Sequence, residues 1–243
     1  MTRIALEIAV DGPAGARTAF EGGADRVELC QALAATGGLT PSGATVDAVL
    51  AVTGDPERVA VLVRPRVGGF VYNAEEIALV AADVSDVVRR GAGAVVVGAL
   101  TADGAVDLRA LERWREAAGD ADLVFHRAID TVPEPAALVD ALVESGVRRV
   151  LTSGGAARSV DGTDALRGLA AASAGRLEIM AGGGVRVEDI PALTACGVDA
   201  IHLSARRPSG DAAPSGPGGG STGFDVTDAD IVRRADAAVH GRS

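Results

Sequence analysis

Hydrophobic and polar positions follow two alternating patterns along most of this chain. Short aliphatic runs occur at residues 4–10, 26–30, 58–64, 94–100, 122–128, 149–154, 177–182 and 200–205. The segments between these runs are longer, rich in Ala and amphipathic. This alternation is typical of β-strands joined by helices, so it predicts repeated βα units and a parallel sheet.

Glycine marks the point at which several helices should end before the next strand. The segments EGGADRVEL, RRGAGAVVV, ESGVRRVLT and ACGVDAIHL share this feature. Eight units close a barrel, and the pattern shows no switch point of the kind that a doubly wound open sheet would have. We therefore predict an α/β fold, a single-domain TIM-type (β/α)8 barrel over residues 1–243.

The stretch after the eighth run is rich in Gly, Ser and Pro. Residues 206–223 are expected to form a flexible loop. A helical pattern follows, and Thr227 or Asp228 could cap a final helix that completes the barrel. His240 belongs to a predicted mobile tail, and we assign it no role.

Charge and cysteine content exclude several partners. The formal net charge is −10, so neither nucleic acid nor a membrane surface is an expected partner. Glu7 and Asp11 interrupt the first apolar stretch, which argues against a secretory leader. Cys30 and Cys196 are far apart, as is usual for thiols of reducing compartments, so we expect a cytoplasmic protein.

Lysine is absent, and all 23 basic residues are Arg. Schiff-base aldolases and pyridoxal phosphate enzymes need a lysine amine, and a Walker A loop needs its lysine. The sequence therefore excludes these three classes of protein.

Alternation along the predicted strands separates residues that face the helices from residues that face the barrel interior. With the aliphatic positions assigned to the helix side, the interior positions are Ala5, Glu7, Ala9, Glu28, Cys30, Leu62, Arg64, Arg66, Val124, His126, Ala128, Met180, His202 and Ser204. An ordinary barrel interior is filled by Val, Ile and Leu. This one collects charged and polar groups.

Two interpretations account for this polar interior. The charged residues could form buried ion pairs that set strand register, and for any single pair this is as good as a functional role. For the whole cluster, drawn from at least five strands, we favour a ligand site at the carboxyl ends of the strands. The predicted catalytic residues are Glu7, Glu28, Arg64, His126 and Asp130.

Glycines supply a second signal, in TSGG after the sixth run and GGGV after the seventh. Their backbone N–H groups could hold an anion where barrels bind phosphate, although tight βα turns would have the same composition. The predicted anion-binding residues are Arg66, Ser153, Gly154, Gly155, Gly182, Gly183 and Gly184.

Seven motifs together resemble one known family. They are EGGADRVELC (21–30), GGLTPS (37–42), VRPR (63–66), GALTADGAVD (98–107), FHRAID (125–130), RVLTSGG (149–155) and EIMAGGGV (178–185). In order and spacing they are similar to the CutC copper homeostasis family, from about residue 4 to 205. The resemblance implies a TIM-type barrel, a cytoplasmic homo-oligomer, and copper tolerance with Cu(I) bound by cysteines.

Cys30 matches the family's VELC motif, but Cys196 lies at the far end of the chain and cannot supply the second thiol of that proposal. Cu(I) prefers two or three soft donors. Cys30, Met180 and either His126 or His202 share the predicted interior, so we hypothesise that they form the metal site.

Two functions remain open. The first is a protein that binds or handles Cu(I), which the resemblance favours. The second is an enzyme acting on a small anionic or phosphorylated metabolite, which the carboxylates, Arg and His of the interior favour because they are hard groups. A hard divalent metal at Glu7 and Glu28 lacks a recognisable third ligand.

Overall fold

The computed structural model describes residues 3–210 and 223–241. Eight parallel strands form a closed barrel in chain order, and the last strand pairs with the first. The strands are β1 (Ala5–Val10), β2 (Arg26–Leu29), β3 (Val59–Leu62), β4 (Ala94–Val97), β5 (Asp122–Phe125), β6 (Val147–Thr152), β7 (Glu178–Gly182) and β8 (Ala200–Leu203). The predicted TIM-type barrel is confirmed.

Helices cover the outside of the barrel. They are α1 (Pro13–Glu21), α2 (Leu33–Thr36), α3 (Gly43–Thr53), α4 (Ala74–Arg89), α5 (Leu108–Ala118), α6 (Val139–Glu144), α7 (Thr163–Ser173), α8 (Ile190–Thr194) and α9 (Ala229–His240). Asn73 and Glu76 form a capping box that starts α4, and Asp107 caps α5. Within the described part of the chain, no helix combines the length and apolar character needed to cross a bilayer.

The segment after β8 differs from the predicted loop at its start. Residues 206–208 form a short strand, β9 (Arg206–Pro208), which pairs antiparallel with β10 (Asp225–Thr227). Residues 211–222 of the predicted loop lie outside the described residues. Thr227 ends β10, whereas Asp228 caps α9 by accepting from the backbone N–H groups of Asp230 and Ile231, each at 2.9 Å.

The two faces of the strands pack into separate layers, as the alternation predicts. Residues such as Leu6, Val61 and Ile179 join the large cluster between barrel and helices. A smaller interior cluster contains Cys30, Ala60, Leu62, Ala94, Val96 and Val124. Ala128 is an exception: the chain leaves β5 before it and turns into a 3-10 helix (Arg127–Thr131), so Ala128 packs in the outer layer.

His240 is not part of a mobile tail. It is the last residue of α9, and its side chain is 5% exposed. Its Nδ1 lies 2.6 Å from Asp236 Oδ1, and its Nε2 lies 3.1 Å from the carbonyl oxygen of Ile4. The interpretation from sequence was therefore wrong, because His240 ties the final helix to the start of β1.

Candidate functional site

A pocket of about 300 Å³ opens where the barrel strands end. Loops that follow β2, β3, β5, β7 and β8 form its walls. This is the end of the barrel at which TIM-barrel enzymes have their active sites. Of the residues singled out from sequence, Glu28, Cys30, Arg64, His126, Gly183, Gly184 and His202 line the pocket. Parity along the strands thus selected a set of residues that the fold brings together.

A line of ionisable side chains forms the floor of the pocket. His202 Nε2 lies 3.3 Å from Glu28 Oε2, and His202 Nδ1 lies 2.8 Å from Glu7 Oε1. The second oxygen of Glu7 accepts from Arg26 Nε at 2.6 Å. Strand register explains the arrangement, because Glu7 is the Cα partner of Arg26 on β2 and of His202 on β8. We call these four residues the floor cluster.

The pKa values of the three titratable residues of the floor cluster other than Arg26 are shifted in different directions. Burial raises the pKa of the Glu7 carboxyl, but Arg26 and His202 lower it more, so the net pKa lies well below its usual range. Burial lowers the pKa of His202, but the bond to Glu7 and the charge of Glu28 raise it more. Burial, assisted by Glu7 and opposed by His202, raises the pKa of Glu28 to about 7. Glu28 is therefore the member that exchanges a proton near neutral pH.

Ion pairs continue beyond the floor cluster through Glu178 and Arg149, which were not predicted as site residues. Arg26 also pairs with Glu178, whose Oε1 lies 2.9 Å from Arg149 Nε. A signal for them exists, because Arg26 shares the parity of Glu28, and Glu178 shares that of Met180. Arg26 and Glu178 both lie inside the predicted strands, but parity was not extended to them.

Glu7, Glu28 and His202 could hold a cation by position alone. One ligand atom from each lies within 4.8 Å of the others, so His202 supplies the third ligand that the sequence did not reveal. Arg26 already neutralises Glu7, however, and the pKa of His202, which the two carboxylates raise against the effect of burial, favours the doubly protonated imidazolium over the form that binds a metal. A metal would have to displace a ring proton.

His126 follows β5 and caps the 3-10 helix that begins at Arg127. Its Nδ1 accepts the backbone N–H of Ala128 at 3.2 Å. Burial, with a smaller contribution from the positive charge of Arg64, lowers the pKa of His126 to about 4, so the ring is neutral at physiological pH. Its Nε2 is buried and has no hydrogen-bond partner among the described residues.

Arg64 also lines the pocket, and its side chain holds three loop positions together. Its Nη1 donates to the carbonyl oxygens of Thr36 (3.1 Å) and Gly38 (3.2 Å), and its Nη2 donates to that of Gly68 (2.8 Å). Two donors remain, the second Nη2 hydrogen and Nε–H, and the Nε group is buried and unpartnered within residues 3–210 and 223–241. Arg64 therefore has a buried N–H group, at Nε, that no protein acceptor uses.

Arg66 does not join the pocket. Its side chain is 41% exposed, pairs with Glu76, and lies over the ring of Tyr72 at 5.0 Å from the centroid. The chain has left β3 before this residue, so strand parity no longer applies to it. Arg66 stabilises the loop before α4, and the geometry does not support its predicted role in anion binding.

Asp130 occupies part of the predicted anion site itself. Its carboxylate accepts from the backbone N–H groups of Ser153 (2.9 Å) and Gly155 (3.3 Å), and from Arg127 Nε at 2.8 Å. None of these bonds involves His126, so Asp130 does not act as an orienting partner of the other predicted catalytic residue of this motif. The structure thus corrects the roles of Asp130, Ser153 and Gly155, because the first is the anion that the other two bind.

The other predicted glycines divide between two places. Gly154 donates its N–H to Thr152 Oγ1 at 2.9 Å, so it too is satisfied within the protein. Gly182 is the last residue of β7 and does not line the pocket. Gly183 and Gly184 do line it, with φ angles of 117° and 60° that favour glycine. Anion binding by this pair remains a prediction.

The proposed soft ligands do not converge on a Cu(I) site. Burial, more than the nearby carboxylates, raises the pKa of the Cys30 thiol, whose Sγ contacts the carbonyl oxygen of Val10 at 3.8 Å. Met180 lies outside the pocket lining, and its sulfur is 3.5 Å from Arg26 Nη2. Both ring nitrogens of His202 face carboxylates. Cu(I) requires deprotonated thiolate or unprotonated sulfur and nitrogen donors, so this arrangement does not fit it.

Comparison with known proteins agrees with the motifs. Residues 4–207 match the CutC family. The chain belongs to the CutC family. A family protein CutC of Xanthomonas campestris pv. campestris is 43% identical over 204 residues, 84% of each chain. One from Rhizobium meliloti is 42% identical over 194 residues, 79% of this chain and 77% of the relative. A Streptococcus agalactiae structure described as a copper homeostasis protein CutC superposes with a TM-score of 0.77 at 31% identity, covering 83% of this chain and 98% of that one.

Proposed function

We propose that this CutC family member is an enzyme that moves a proton on a small anionic substrate in the barrel pocket. The observation that carries the proposal is the floor cluster, in which Glu28, His202 and Glu7 form one buried line beneath the pocket. Glu28, whose pKa burial raises to about 7, can both accept and donate a proton at neutral pH. Arg26 holds Glu7, Glu7 holds His202, and His202 in turn positions Glu28.

The shape and charge of the pocket support an anionic substrate of small size. A volume of about 300 Å³ is at the lower end of small-molecule sites, so it suits a metabolite of a few carbon atoms. Arg64, Arg127 and Arg206 contribute to the walls. Since the chain has no lysine, the proton transfer has to proceed without a Schiff base.

Solvent deuterium incorporation tests this proposal whatever product the reaction forms. The protein is incubated in D₂O near pH 7 with a panel of small phosphorylated and carboxylated metabolites, and proton NMR detects the loss of carbon-bound hydrogen. We expect exchange with one structural class, and a rate about 10²-fold lower or less in Glu28→Gln. Glu75→Gln, an exposed substitution on α4, is the matched control.

Two outcomes would overturn the proposal. One is equal exchange by Glu28→Gln and wild type. The other is an absence of exchange above the protein-free rate for every panel member that binds the pocket.

Cu(I) handling is the second candidate, and the observation in its favour is that Cys30 lines the same pocket. Anaerobic competition with a colorimetric Cu(I) chelator compares wild type, Cys30→Ser and Arg64→Ala. The enzyme proposal expects none of the three to bind Cu(I) more tightly than a generic thiol. A tight site lost only in Cys30→Ser would support copper handling instead. Homo-oligomer formation and a cytoplasmic location remain predictions from the sequence.

A further inference from the structure

Two buried N–H donors in the pocket wall lack an acceptor. They are Nε2 of His126 and Nε of Arg64, and neither has a hydrogen-bond partner in the described part of the chain. Both residues line the pocket, and both are less than a tenth exposed. A buried donor without an acceptor destabilises the folded state, so two at one site require an explanation.

The hydrogen bond at the other ring nitrogen decides that His126 Nε2 is a donor. Because Nδ1 accepts from Ala128 N–H, Nδ1 carries no proton, and the neutral ring must carry its proton on Nε2. A neutral imidazole with this tautomer donates a hydrogen bond but does not remove a proton through Nε2. His126 is therefore a hydrogen-bond donor, whereas Glu28 is the residue that accepts a proton.

The same aromatic ring packs against both donors. The centroid of Phe70 lies 4.8 Å from that of His126, and Arg64 Cζ lies 5.2 Å from the Phe70 centroid. Phe70 belongs to the loop between β3 and α4 rather than to a barrel strand. Access of an oxygen past this ring would therefore require movement of a loop residue only, not of a barrel strand.

Gly98 fixes the other side of the imidazole. A Cβ at this position would overlap Cε1 and Nδ1 of His126. The glycine of the GALTADG motif thus allows the ring to lie against the end of β4, and a side chain there would force the ring to move. The fold holds His126 in one place, which is what a preorganised donor requires.

We propose that His126 and Arg64 form an oxyanion site for the carbonyl oxygen of a small anionic carbonyl compound. This inference rests on the proposed function, because Glu28 supplies the base. Glu28 accepts a proton from the carbon next to the carbonyl group, and the C–H electron pair forms a C=C bond. The C=O π pair moves to the oxygen, where the two N–H groups stabilise the enolate. Return of the proton from Glu28 completes the step, so no oxidant or further reactant is needed.

Neutrality of the donor favours this chemistry. A neutral imidazole stabilises a developing oxyanion without protonating it fully and remains ready for the next turnover. The pKa of His126, lowered by burial to about 4, keeps the ring neutral throughout the range in which Glu28 titrates.

Binding of stable enolate mimics tests the oxyanion site separately from turnover. Oxalate and 2-phosphoglycolate are titrated into protein labelled with ¹⁵N in histidine, and the Nε2 resonance of His126 is followed. We expect that resonance to shift on binding. We also expect His126→Phe to weaken binding about 10- to 100-fold, the effect of one hydrogen bond to a charged group.

His126→Gln is the matched variant, because its side-chain amide keeps an N–H donor near the Nε2 position. We expect it to bind within about 3-fold of wild type, whereas Phe, which keeps the ring volume, does not. Arg66→Gln, at an exposed position outside the pocket, is the control for a substitution that leaves the pocket lining unchanged. Circular dichroism and thermal unfolding confirm that each variant is folded.

The results separate this inference from the proposed function. Equal binding of both probes by His126→Phe and wild type, or no binding by wild type, overturns the oxyanion site. Deuterium exchange that depends on Glu28 but not on His126 also overturns it, and leaves the proposed function standing. Binding that depends on His126, without exchange in any carbonyl compound, overturns the proposed function and the enolisation step together.

Discussion

The interior of this barrel has two halves of opposite chemistry. Strands β3 to β5 contribute Ala60, Leu62, Ala94, Val96 and Val124, which pack with Cys30. Strands β1, β2, β6, β7 and β8 contribute Glu7, Arg26, Glu28, Arg149, Glu178 and His202, beside a small apolar cluster of Leu151, Met180 and Ala200. Both halves obey the same alternation of inward and outward side chains, so secondary structure does not cause the difference. What differs is the contribution of each half to the free energy of folding.

The aliphatic half stabilises the barrel by ordinary burial, at roughly 1.5–3 kcal/mol for each large side chain. The ionic half must recover the cost of desolvating several charges, and paired charges in an interior often only break even against apolar residues. A barrel that needed nothing but stability would do as well with two aliphatic halves. The comparison therefore indicates that the ionic half serves the pocket above it.

Removal of the central carboxylate should have the largest effect. Glu7→Gln leaves Arg26 and a protonated His202 buried without their shared partner, so we expect a loss of about 3–5 kcal/mol in the free energy of unfolding. Urea denaturation at pH 7 measures it. A loss below about 1 kcal/mol would show that the floor cluster is more hydrated than its burial indicates.

Glu28→Gln should reveal a pH dependence that only the ionic half possesses. The folded-state pKa of Glu28 is raised by burial to about 7 from an ordinary value of 4.5, so between these values the folded protein retains a proton that the unfolded chain releases. Wild-type stability from this group thus falls as pH rises, by up to about 3 kcal/mol, and levels off above pH 7. The stability of Glu28→Gln relative to wild type should increase between pH 4.5 and 8. Denaturation at several pH values, with Glu75→Gln as control, checks this expectation.

Leu62→Ala tests the aliphatic half. The side chain is 4% exposed, and truncation leaves a cavity, so we expect a loss of about 2–3 kcal/mol. The loss should be the same at pH 5 and pH 8, because no titratable group is removed. A strongly pH-dependent loss would mean that the two halves are coupled, and double-mutant analysis with Glu28→Gln would measure the coupling.

Two glycine substitutions compare a crowded position with an open one. Gly98→Ala should destabilise the protein by about 1–2 kcal/mol through overlap with His126, and should also weaken oxalate binding. Gly168→Ala, on the exposed side of α7 with no atom near the new Cβ, should stabilise it by about 0.5–1 kcal/mol. Calorimetry of both variants would contradict this account if the two shifts had the same sign.

Arg66→Ala should have the smallest effect. Its ion pair with Glu76 is solvent-exposed, and exposed pairs contribute little. We expect no change in oxalate affinity and a change in unfolding free energy near the limit of detection. A clear loss of oxalate affinity would restore Arg66 to the ligand site and extend the pocket toward α4.

The fold was largely predictable because its signals are local. Aliphatic alternation located all eight strands to within a few residues, and parity correctly assigned Glu7, Glu28 and His202 to the interior. Parity failed where the chain had already left a strand. Arg66 and Ala128 lie beyond the ends of β3 and β5, and their directions follow the loops instead.

Partnerships within the site were less predictable, since they depend on register between distant strands. Nothing local shows that Glu7 lies beside both Arg26 and His202, because β1 meets β8 only when the barrel closes. The amides of Ser153 and Gly155 illustrate the same limit. Their glycine-rich sequence correctly indicated an anion, but not that the anion was Asp130.

Asp130 has a consequence for which anions the loop after β6 can accept. The carboxylate is tethered to the same barrel as the amides that it contacts, so its effective concentration there does not depend on the composition of the surrounding solution. A dissolved phosphate would compete with a ligand that cannot diffuse away. One potential phosphate cradle is thereby filled from within the chain, so any anionic ligand of this protein would have to bind elsewhere.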